Sequence, residues 1–261
     1  MSRTQYMIGC IVLAALIVAP VSAETVRVLG MGEVMLAVGT DAGAWWNNVA
    51  LTPLIDVRTP GGRWGALKNV TTSLSDVVDW TSVDVSARSA DGVNGLGVGY
   101  RGSDDWNDVG LGYARAWASR FTAGASVGQR SGLGEGTWYT VGMTYGLLSP
   151  GNPLDLRFAA EYWNMTDGGF SQFNFGLGAV WPNGITVGFD AVDVTDMAEY
   201  DFGVEWLNDD GLALRGGLMD LSDAAIPTAG VGYVQGRWDF GIAWQNLDGG
   251  DYWAIGAGGS Y

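Results

Sequence analysis

Residues 172–181, QFNFGLGAVW, alternate between two kinds of side chain. Every second residue from Phe173 onward is large or apolar, whereas every second residue from Gln172 onward is mostly small or polar. A period of two places alternate side chains on opposite faces of a β-strand, and it does not fit a helix. The stretch therefore predicts a strand with one apolar face, and the rest of the chain must supply what this face contacts.

The same alternation recurs from about residue 81 to the C-terminus, in segments of about ten residues that short turns separate. Turn residues such as Asp91-Gly92 and Pro182-Asn183-Gly184 stand between the segments, and connections this short join antiparallel neighbours. The predicted strands are 81–90, 93–102, 107–118, 121–131, 137–149, 154–164, 171–181, 184–194, 199–208, 211–221, 226–236, 238–247 and 251–261.

The composition of the two faces distinguishes a membrane barrel from a soluble fold. A soluble β-sandwich or propeller also alternates, but its outer faces are solvated and usually carry charged residues. Here the polar faces are rich in Gly, Ala and Thr, whereas the apolar faces carry aromatic residues near strand ends, such as Tyr139, Trp181 and Trp206. We therefore predict an all-β fold, a transmembrane antiparallel β-barrel whose apolar face contacts lipid. A soluble sandwich or propeller is the alternative.

The number of strands follows from the parity of bacterial barrels, which is even. The thirteen predicted segments need one more strand, which residues 62–72 or the stretch from Leu54 to Arg58 can supply. The prediction is therefore 14 strands. Twelve is the alternative, if two short segments merge or belong to the region before the strands.

The first 23 residues have the composition of a secretory signal peptide. Arg3 gives a weakly positive start, residues 8–19 are apolar, and Val21-Ser22-Ala23 offers small residues for cleavage before Glu24. An N-terminal membrane anchor is one alternative, although the apolar run is shorter than the ~20 residues that span a bilayer. A lipoprotein is another, but Cys10 lies at the start of the apolar run, whereas a lipoprotein cysteine should follow it.

Charge and residue usage exclude several functions. Without Arg3, 12 of the 13 basic residues remain against 28 acidic ones, a net charge of −16, which disfavours nucleic acid as a partner. The chain has no histidine and one cysteine, Cys10, so the commonest general base and the usual zinc ligands are missing. We expect no enzyme activity, no metal and no cofactor.

Residues 24–76 lack the sustained alternation, and their motifs resemble a known family. Residues 29–33 read LGMGE, residues 37–41 read AVGTD and residues 44–51 read AWWNNVAL. These resemble the N-terminal hatch of the long-chain fatty acid transporter (FadL-like) superfamily of outer-membrane barrels, with the closer likeness to its PorV-type branch. Asn48, Val49 and Ala50 stand where that family has Pro, Ala and Gly. The stretches 200–218 and 228–244 are similar to the family's penultimate strands.

The resemblance implies a hatch inside the lumen of the barrel. We expect a signal peptide at 1–23, a hatch or plug segment at 24–76 that can include the first strand, and the transmembrane barrel at 77–261. The resemblance places the hatch motifs at Gly30, Met31, Gly32, Asp41, Trp46, Asn47 and Asn48.

Charged residues on the small, polar faces of the strands are predicted to face the lumen. They pair with each other and with the hatch, or they form a polar track for a solute; a catalytic carboxylate pair is not expected. Arg115 is an exception, since the simple register points it at lipid. Either it lies near an interface, where its charge can reach water, or a bulge changes the register there. The predicted lumen residues are Asp84, Arg88, Arg130, Asp155, Arg157, Glu161, Asp190, Asp201, Glu205, Arg215 and Asp239.

These observations predict a protein of the outer membrane of a diderm bacterium. The expected function is passive transport of a small hydrophobic solute through a plugged barrel. The alternative is a non-transporting anchor or assembly component for an envelope or secretion complex. The expected partners are outer-membrane lipid, a hydrophobic small molecule and the barrel assembly machinery. That machinery would recognise the C-terminal strand, because an amphipathic strand ending in Tyr261 resembles its assembly signal.

Overall fold

The fold was obtained as a computed structural model. No helix among the residues it describes is long and apolar enough to cross a membrane. The predicted signal peptide lies outside the described residues. These are residues 27, 29, 31, 33–34, 36–39, 42–55, 64–74, 80–166, 170–196, 198–247 and 250–260.

Fourteen antiparallel strands form one closed barrel, in which each strand pairs with its neighbours in sequence and β1 pairs with β14. The prediction of a 14-strand antiparallel barrel is confirmed, and the alternative of 12 strands is wrong. The strands are β1 (Trp64–Ser73), β2 (Thr81–Ser89), β3 (Asn94–Gly102), β4 (Trp106–Ala118), β5 (Phe121–Gly132), β6 (Gly136–Gly146), β7 (Asp155–Met165), β8 (Phe170–Val180), β9 (Ile185–Val192), β10 (Glu199–Leu207), β11 (Leu212–Met219), β12 (Ile226–Gln235), β13 (Trp238–Leu247) and β14 (Gly250–Ser260).

The additional strand, β1, lies within the 24–76 segment and closes the ring between β2 and β14. Its inward side chains Leu67, Asn69 and Thr71 are buried. Its outward face is less regular than that of the other strands, because Lys68 and Thr72 interrupt the apolar residues. This mixed outward face explains why β1 lacks a clear alternation signal in the sequence.

The two ends of the barrel are distinguished here by the chain termini. The proximal end holds the first residue of β1 and the last residue of β14, and the distal end is the opposite one. A proximal turn joins β2 to β3, where Gly92 has a φ of +69°. Beside it, Asp91 accepts hydrogen bonds from the Ser89 hydroxyl (2.5 Å) and the Val93 N–H (3.0 Å), and these bonds lower its pKa.

The outer face of the barrel is apolar around most of its circumference, with β1 as the exception. Leu177, in the middle of the stretch 172–181, has 48% of its surface exposed, whereas the neighbouring Asn174 points inward and is buried. Exposed aliphatic side chains occupy the middle of the strands, including Val98, Leu111, Val127, Val141, Val204, Leu214, Val231, Ile242 and Ile255. An aliphatic band of this kind is the lipid-facing surface of a transmembrane barrel.

Exposed aromatic side chains form a belt at each end of this band. The proximal belt contains Trp64, Trp117, Tyr145, Trp181, Trp206, Tyr233 and Trp238, and the distal belt contains Tyr100, Tyr139, Tyr200 and Trp253. Rings such as these are amphipathic and lie where the hydrocarbon layer meets the head groups. The apolar face of QFNFGLGAVW therefore has the surroundings that the sequence predicts for contact with lipid.

The lumen is filled by the segment that precedes β1. Within it, helix α1 (Ala44–Asn48) continues into a 3₁₀ helix (Val49–Leu54). Trp45, Leu51 and Ile55 are fully buried. The described residues from Arg27 to Ile55 are named the plug below, and their placement inside the barrel agrees with the predicted hatch.

Candidate functional site

Glycines of the wall provide the space that the plug occupies. A Cβ atom at Gly112 would lie 2.7 Å from Cγ2 of Val49, closer than real Cβ atoms approach other atoms. At Gly97 a Cβ would overlap the side chain of Trp45, and at Gly142 it would overlap that of Asn48. Only glycine at these positions allows the plug to lie directly against strands β3 to β6.

A second group of glycines receives the earlier part of the plug. A side chain at Gly188 would overlap Val34, one at Gly178 would overlap Val38, and one at Gly203 would overlap the backbone of Met31. These glycines belong to β8, β9 and β10. The plug thus packs against two glycine-lined regions of the wall, and its close packing leaves little room for side chains there.

Hydrogen bonds connect the plug to the wall at several positions along the barrel axis. Asn48 caps the 3₁₀ helix, because its Oδ1 accepts a hydrogen bond from the Ala50 N–H (3.1 Å). Its Nδ2 donates to the carbonyl oxygens of Leu36 (3.0 Å) and Met143 (3.3 Å). The wall hydroxyl of Thr122 donates to the Ala50 carbonyl (2.7 Å). Asn48 therefore connects two parts of the plug with the wall.

A buried ion network lies near the proximal end. Glu205 accepts from Arg27 of the plug (Nη2–Oε1, 2.8 Å) and from Arg215 of β11 (Nε–Oε2, 2.7 Å). The side chains of Glu205 and Arg215 are buried and that of Arg27 is 12% exposed, and removing one member of such a group leaves an uncompensated buried charge. The network fixes the first described residue of the plug to the wall.

Tryptophan side chains form a cluster where the plug meets the distal half of the wall. The ring centroids of Trp45 and Trp46 are 4.1 Å apart, and that of Trp138 is 5.3 Å from Trp46. The guanidinium of Arg101 lies 4.6 Å from the centroid of the Trp46 ring. The Trp46 indole N–H donates to the carboxylate of Asp84 on β2. The cluster joins plug and wall by aromatic packing and by this hydrogen bond.

An open cavity of about 620 Å³ lies between the plug and the distal end of the barrel. Its floor is made by plug residues, including Glu33, Leu36 and Trp46. Its walls carry four tryptophans and several charges, and this volume is within the range of sites for small molecules. The wall residues that line it include Trp80, Arg101, Trp106, Asp108, Arg130, Trp138, Glu161, Trp163, Gln172, Asn174, Asp190, Glu199 and Asp201.

The charges of this distal cavity are divided between its sides. Arg101 on β3 and Arg130 on β5 lie on one side, and Arg130 forms a two-bond ion pair with Asp108 (Nε–Oδ1 2.9 Å, Nη2–Oδ2 2.6 Å). The other side, from β7 to β10, carries an acidic arc, defined as Glu161, Asp190, Glu199 and Asp201. β3 and β10 are separated by half the circumference of the ring.

A second cavity of about 480 Å³ opens at the proximal end, below Leu54 of the plug. Asp155 and Arg157, which form an ion pair, lie on its wall together with Thr122. The plug residues between Trp45 and Leu54 therefore lie between the two cavities. A solute that passes from one end to the other has to pass this part of the plug.

The structure places the predicted lumen charges inside the barrel, but in separate groups. Asp84 contacts Trp46, and Arg88 donates to the Ile55 carbonyl (2.7 Å). Arg130, Glu161, Asp190 and Asp201 line the distal cavity, and Asp155 and Arg157 line the proximal one. Glu205, Arg215 and Asp239 are buried near the proximal end. A role for any of them in a solute track remains a prediction.

Only part of the predicted hatch set can be described. Met31 is buried against β10, Trp46 belongs to the tryptophan cluster, and Asn48 joins plug to wall. Gly30, Gly32, Asp41 and Tyr261 lie outside the described residues, as does the side chain of Asn47.

Several cavity residues were not predicted from the sequence. Trp106, Trp138 and Trp163 lie on the inward faces of β4, β6 and β7, whose other large aromatic side chains point outward. Arg101 on β3 and Asp108 on β4 also point inward and line this cavity, and they too were not predicted. A large aromatic or a charge on an otherwise small inward face, near the distal end of a strand, is the signal that identifies this cavity.

Arg115 points outward near the proximal end, where its guanidinium lies 5.3 Å from the centroid of the Trp117 ring. The register irregularity of β4 follows it, between Ala116 and Ala118. The outward orientation at a barrel end, with the charge beside an aromatic belt residue, is therefore the alternative that the structure supports.

No protein-family model matches this chain, and no curated protein does. Its fold matches solved outer-membrane barrels. The toluene transporter TbuX of Ralstonia pickettii has a TM-score of 0.57 at 13% identity, covering 89% of this chain and 96% of its own. The outer membrane protein Omp33 of Acinetobacter baumannii has a TM-score of 0.56 at 10% identity, covering 76% and 98%. The CymD monoaromatic hydrocarbon channel has a TM-score of 0.54 at 14% identity, covering 93% and 97%.

These likenesses establish the fold class of the chain as that of outer-membrane β-barrels. Two of the three proteins, TbuX and CymD, are FadL-like transporters. The three are a transporter, an outer membrane protein and a channel, and none is described as an enzyme.

Proposed function

We propose that this protein is an outer-membrane channel for a small, largely apolar solute, and that the plug gates it. The observation that carries the proposal is the arrangement of two cavities on either side of the plug. A barrel that serves only as an anchor can fill its lumen with wall side chains, as small barrels do. This wall instead has glycines where the plug lies, so the filling belongs to a separate segment.

The construction of the wall supports gating by the plug. The strands satisfy their backbone hydrogen bonds with each other around the closed ring, so the wall does not need the plug for its own backbone pairing. Side-chain contacts such as those of Asn48 and Trp46 hold the plug, and they can break without opening the sheet. We infer that the plug moves or rearranges while the wall stays closed.

The fold neighbours support the apolar character of the solute. One is a toluene transporter and another is a monoaromatic hydrocarbon channel. The tryptophan-rich distal cavity of this chain offers surfaces for an apolar group of similar size. We therefore propose a solute with an apolar body, in the class of small hydrocarbons and their derivatives.

The proposal includes the location and the assembly route. The lipid-facing band and the two aromatic belts suit a bilayer, and we propose the outer membrane of a diderm bacterium. We propose that the barrel assembly machinery recognises β14, which pairs with β1 to close the ring.

The proposal is tested by uptake of N-phenylnaphthylamine, an apolar dye that fluoresces in a membrane, by diderm cells that express the protein. The lipopolysaccharide leaflet of such cells slows this dye, so the protein should raise its rate of entry. The control is the same host strain, expressing at the same level one of its own porins that is unrelated to this protein. An unchanged entry rate, with the barrel present in the outer membrane, would contradict transport and leave the anchor role as the better account.

A further inference from the structure

The acidic arc of the distal cavity contains a buried oxygen that accepts no hydrogen bond from the residues the structure describes. Glu161 is only 4% exposed, and its Oε2 accepts a hydrogen bond from Asn174 Nδ2 (3.2 Å). Its Oε1 has no hydrogen-bond partner among the described residues. A buried carboxylate oxygen without a donor is unfavourable, and a donor supplied by a ligand would relieve this.

A second, independent polar group of the same cavity is also unsatisfied. The indole N–H of Trp138, which is 2% exposed, has no acceptor among the described residues. Trp138 belongs to the tryptophan cluster and not to the acidic arc, yet it lines the same cavity. Buried polar groups of folded proteins usually have hydrogen-bond partners, so these two groups leave an acceptor and a donor available to a ligand with polar atoms.

The surroundings of Glu161 indicate the charge of that ligand. Its strand carries Trp163 two residues away on the same face, and Asp190 and Asp201 are direct partners across β9 and β10. Asp190 accepts from the plug N–H of Leu36 (2.9 Å) and Asp201 from the N–H of Asp220 (3.0 Å). The arginines of the cavity lie on the other side, where Arg130 is paired with Asp108 and Arg101 lies over Trp46.

Carboxylates beside tryptophan faces suit an ammonium group attached to an apolar body. The ammonium can donate to Glu161 while its charge interacts with an indole face, and the apolar part packs on the tryptophans. A metal ion does not fit, because no group of three acidic side chains among the described residues is arranged to hold one. An uncharged hydrocarbon would fill the space but leave Glu161 Oε1 without a donor.

We propose that the distal cavity binds small organic cations, primary amines with an aromatic or otherwise apolar body, and that these are the solutes the barrel admits. The admission step rests on the proposed channel function, whereas binding in the cavity does not. The inference narrows the solute from apolar molecules in general to apolar molecules that carry one positive group.

The test compares three ligands of matched size by isothermal titration calorimetry on the detergent-solubilised mature protein. They are 2-phenylethylammonium, its uncharged carbon analogue propylbenzene, and the anion 3-phenylpropionate. We expect the cation to bind at least ten-fold more tightly than propylbenzene and the anion not to bind measurably. Equal affinities for the cation and propylbenzene would overturn the proposal, as would tighter binding of the anion.

Variants then locate the site. Glu161→Gln should weaken binding of 2-phenylethylammonium at least ten-fold, whereas Asp209→Asn, an exposed carboxylate in a proximal turn, should leave it unchanged. Unchanged binding in Glu161→Gln would place the cation elsewhere and contradict the inference. If Glu161→Gln does not assemble, Asp201→Asn takes its place. The comparison of the three ligands on the unaltered protein still decides whether the cation is preferred.

The outcome is separable from that of the proposed function. Cation binding without dye uptake would support the cavity site and contradict the channel. Dye uptake without any preference for the cation would support the channel and overturn the site.

Discussion

The indole ring of Trp45 in the plug occupies the space into which a side chain at Gly97 of β3 would project. The two residues fit together only because the second has no side chain. Trp45 is fully buried, and its ring also packs against that of Trp46. This contact explains a part of the high glycine content of the chain, 42 residues, since a wall that encloses a packed plug needs an inner face without Cβ atoms at the points of contact.

Gly97→Val should displace the plug without preventing the barrel from assembling. The valine side chain overlaps Trp45, and overpacking of this kind costs about 1–3 kcal/mol unless the neighbour moves. The plug is the neighbour that can move, so single-channel conductance should rise. Gly146→Ala is the matched control, because it faces the lumen but its nearest atoms would be 3.7 Å away. Equal conductance in both variants would contradict the role of Gly97.

Leu177→Arg should impair assembly far more than Gln172→Arg on the same strand. Leu177 faces lipid, where an arginine near the bilayer midplane costs about 2–4 kcal/mol. Gln172 faces the distal cavity, which has room for a charged side chain. Assembly is measured as the fraction that migrates faster on gels without heating. The reverse order of the two variants would mean that the faces are assigned the wrong way round.

Asn48→Ala should loosen the plug. It removes the cap of the 3₁₀ helix, which is worth about 1 kcal/mol, and two hydrogen bonds to carbonyl oxygens. Amide hydrogen exchange of residues 44–54 should therefore become faster, while that of the strands does not. Asn152→Ala removes a similar bond to a backbone N–H in an exposed turn and should leave the plug amides unchanged. Unaltered exchange in Asn48→Ala would contradict the anchoring role.

Glu205→Gln should destabilise the protein more than the same neutralisation of an exposed carboxylate. The change leaves Arg27 and Arg215 without the carboxylate they share, and breaking a buried ion pair on one side costs about 3–5 kcal/mol. The midpoint of unfolding in guanidinium chloride should fall, and Glu135→Gln in an exposed distal loop should not change it. Equal midpoints would show that the network contributes no net stability.

The strands could be predicted because lipid on one side and the lumen on the other impose a strict alternation. The segment 171–181 is predicted from that alternation and β8 spans Phe170–Val180. β1 could not be recognised with the same certainty, because Lys68 and Thr72 interrupt its outward face. The alternation also identifies which charges face inward, since parity along a strand is sufficient for this.

The partners of those charges could not be predicted. Whether Asp84 meets Trp46, or Glu205 meets Arg27, depends on how the plug folds within the lumen, and such contacts join residues far apart in the sequence. The distal cavity was missed for a related reason. Trp138 and Trp163 were not separated from the aromatic residues of the belts, although their parity places them inside.

Closure of the lumen by the plug is tested by the single-channel conductance of the protein with residues 30–52 deleted, because the deletion removes α1 and most of the 3₁₀ helix but leaves all fourteen strands. We expect the deleted protein to assemble as a heat-modifiable barrel and to conduct much more than the intact protein. An assembled barrel with unchanged conductance would contradict the claim that the plug closes the lumen. Failure to assemble would contradict the claim that the wall closes without it.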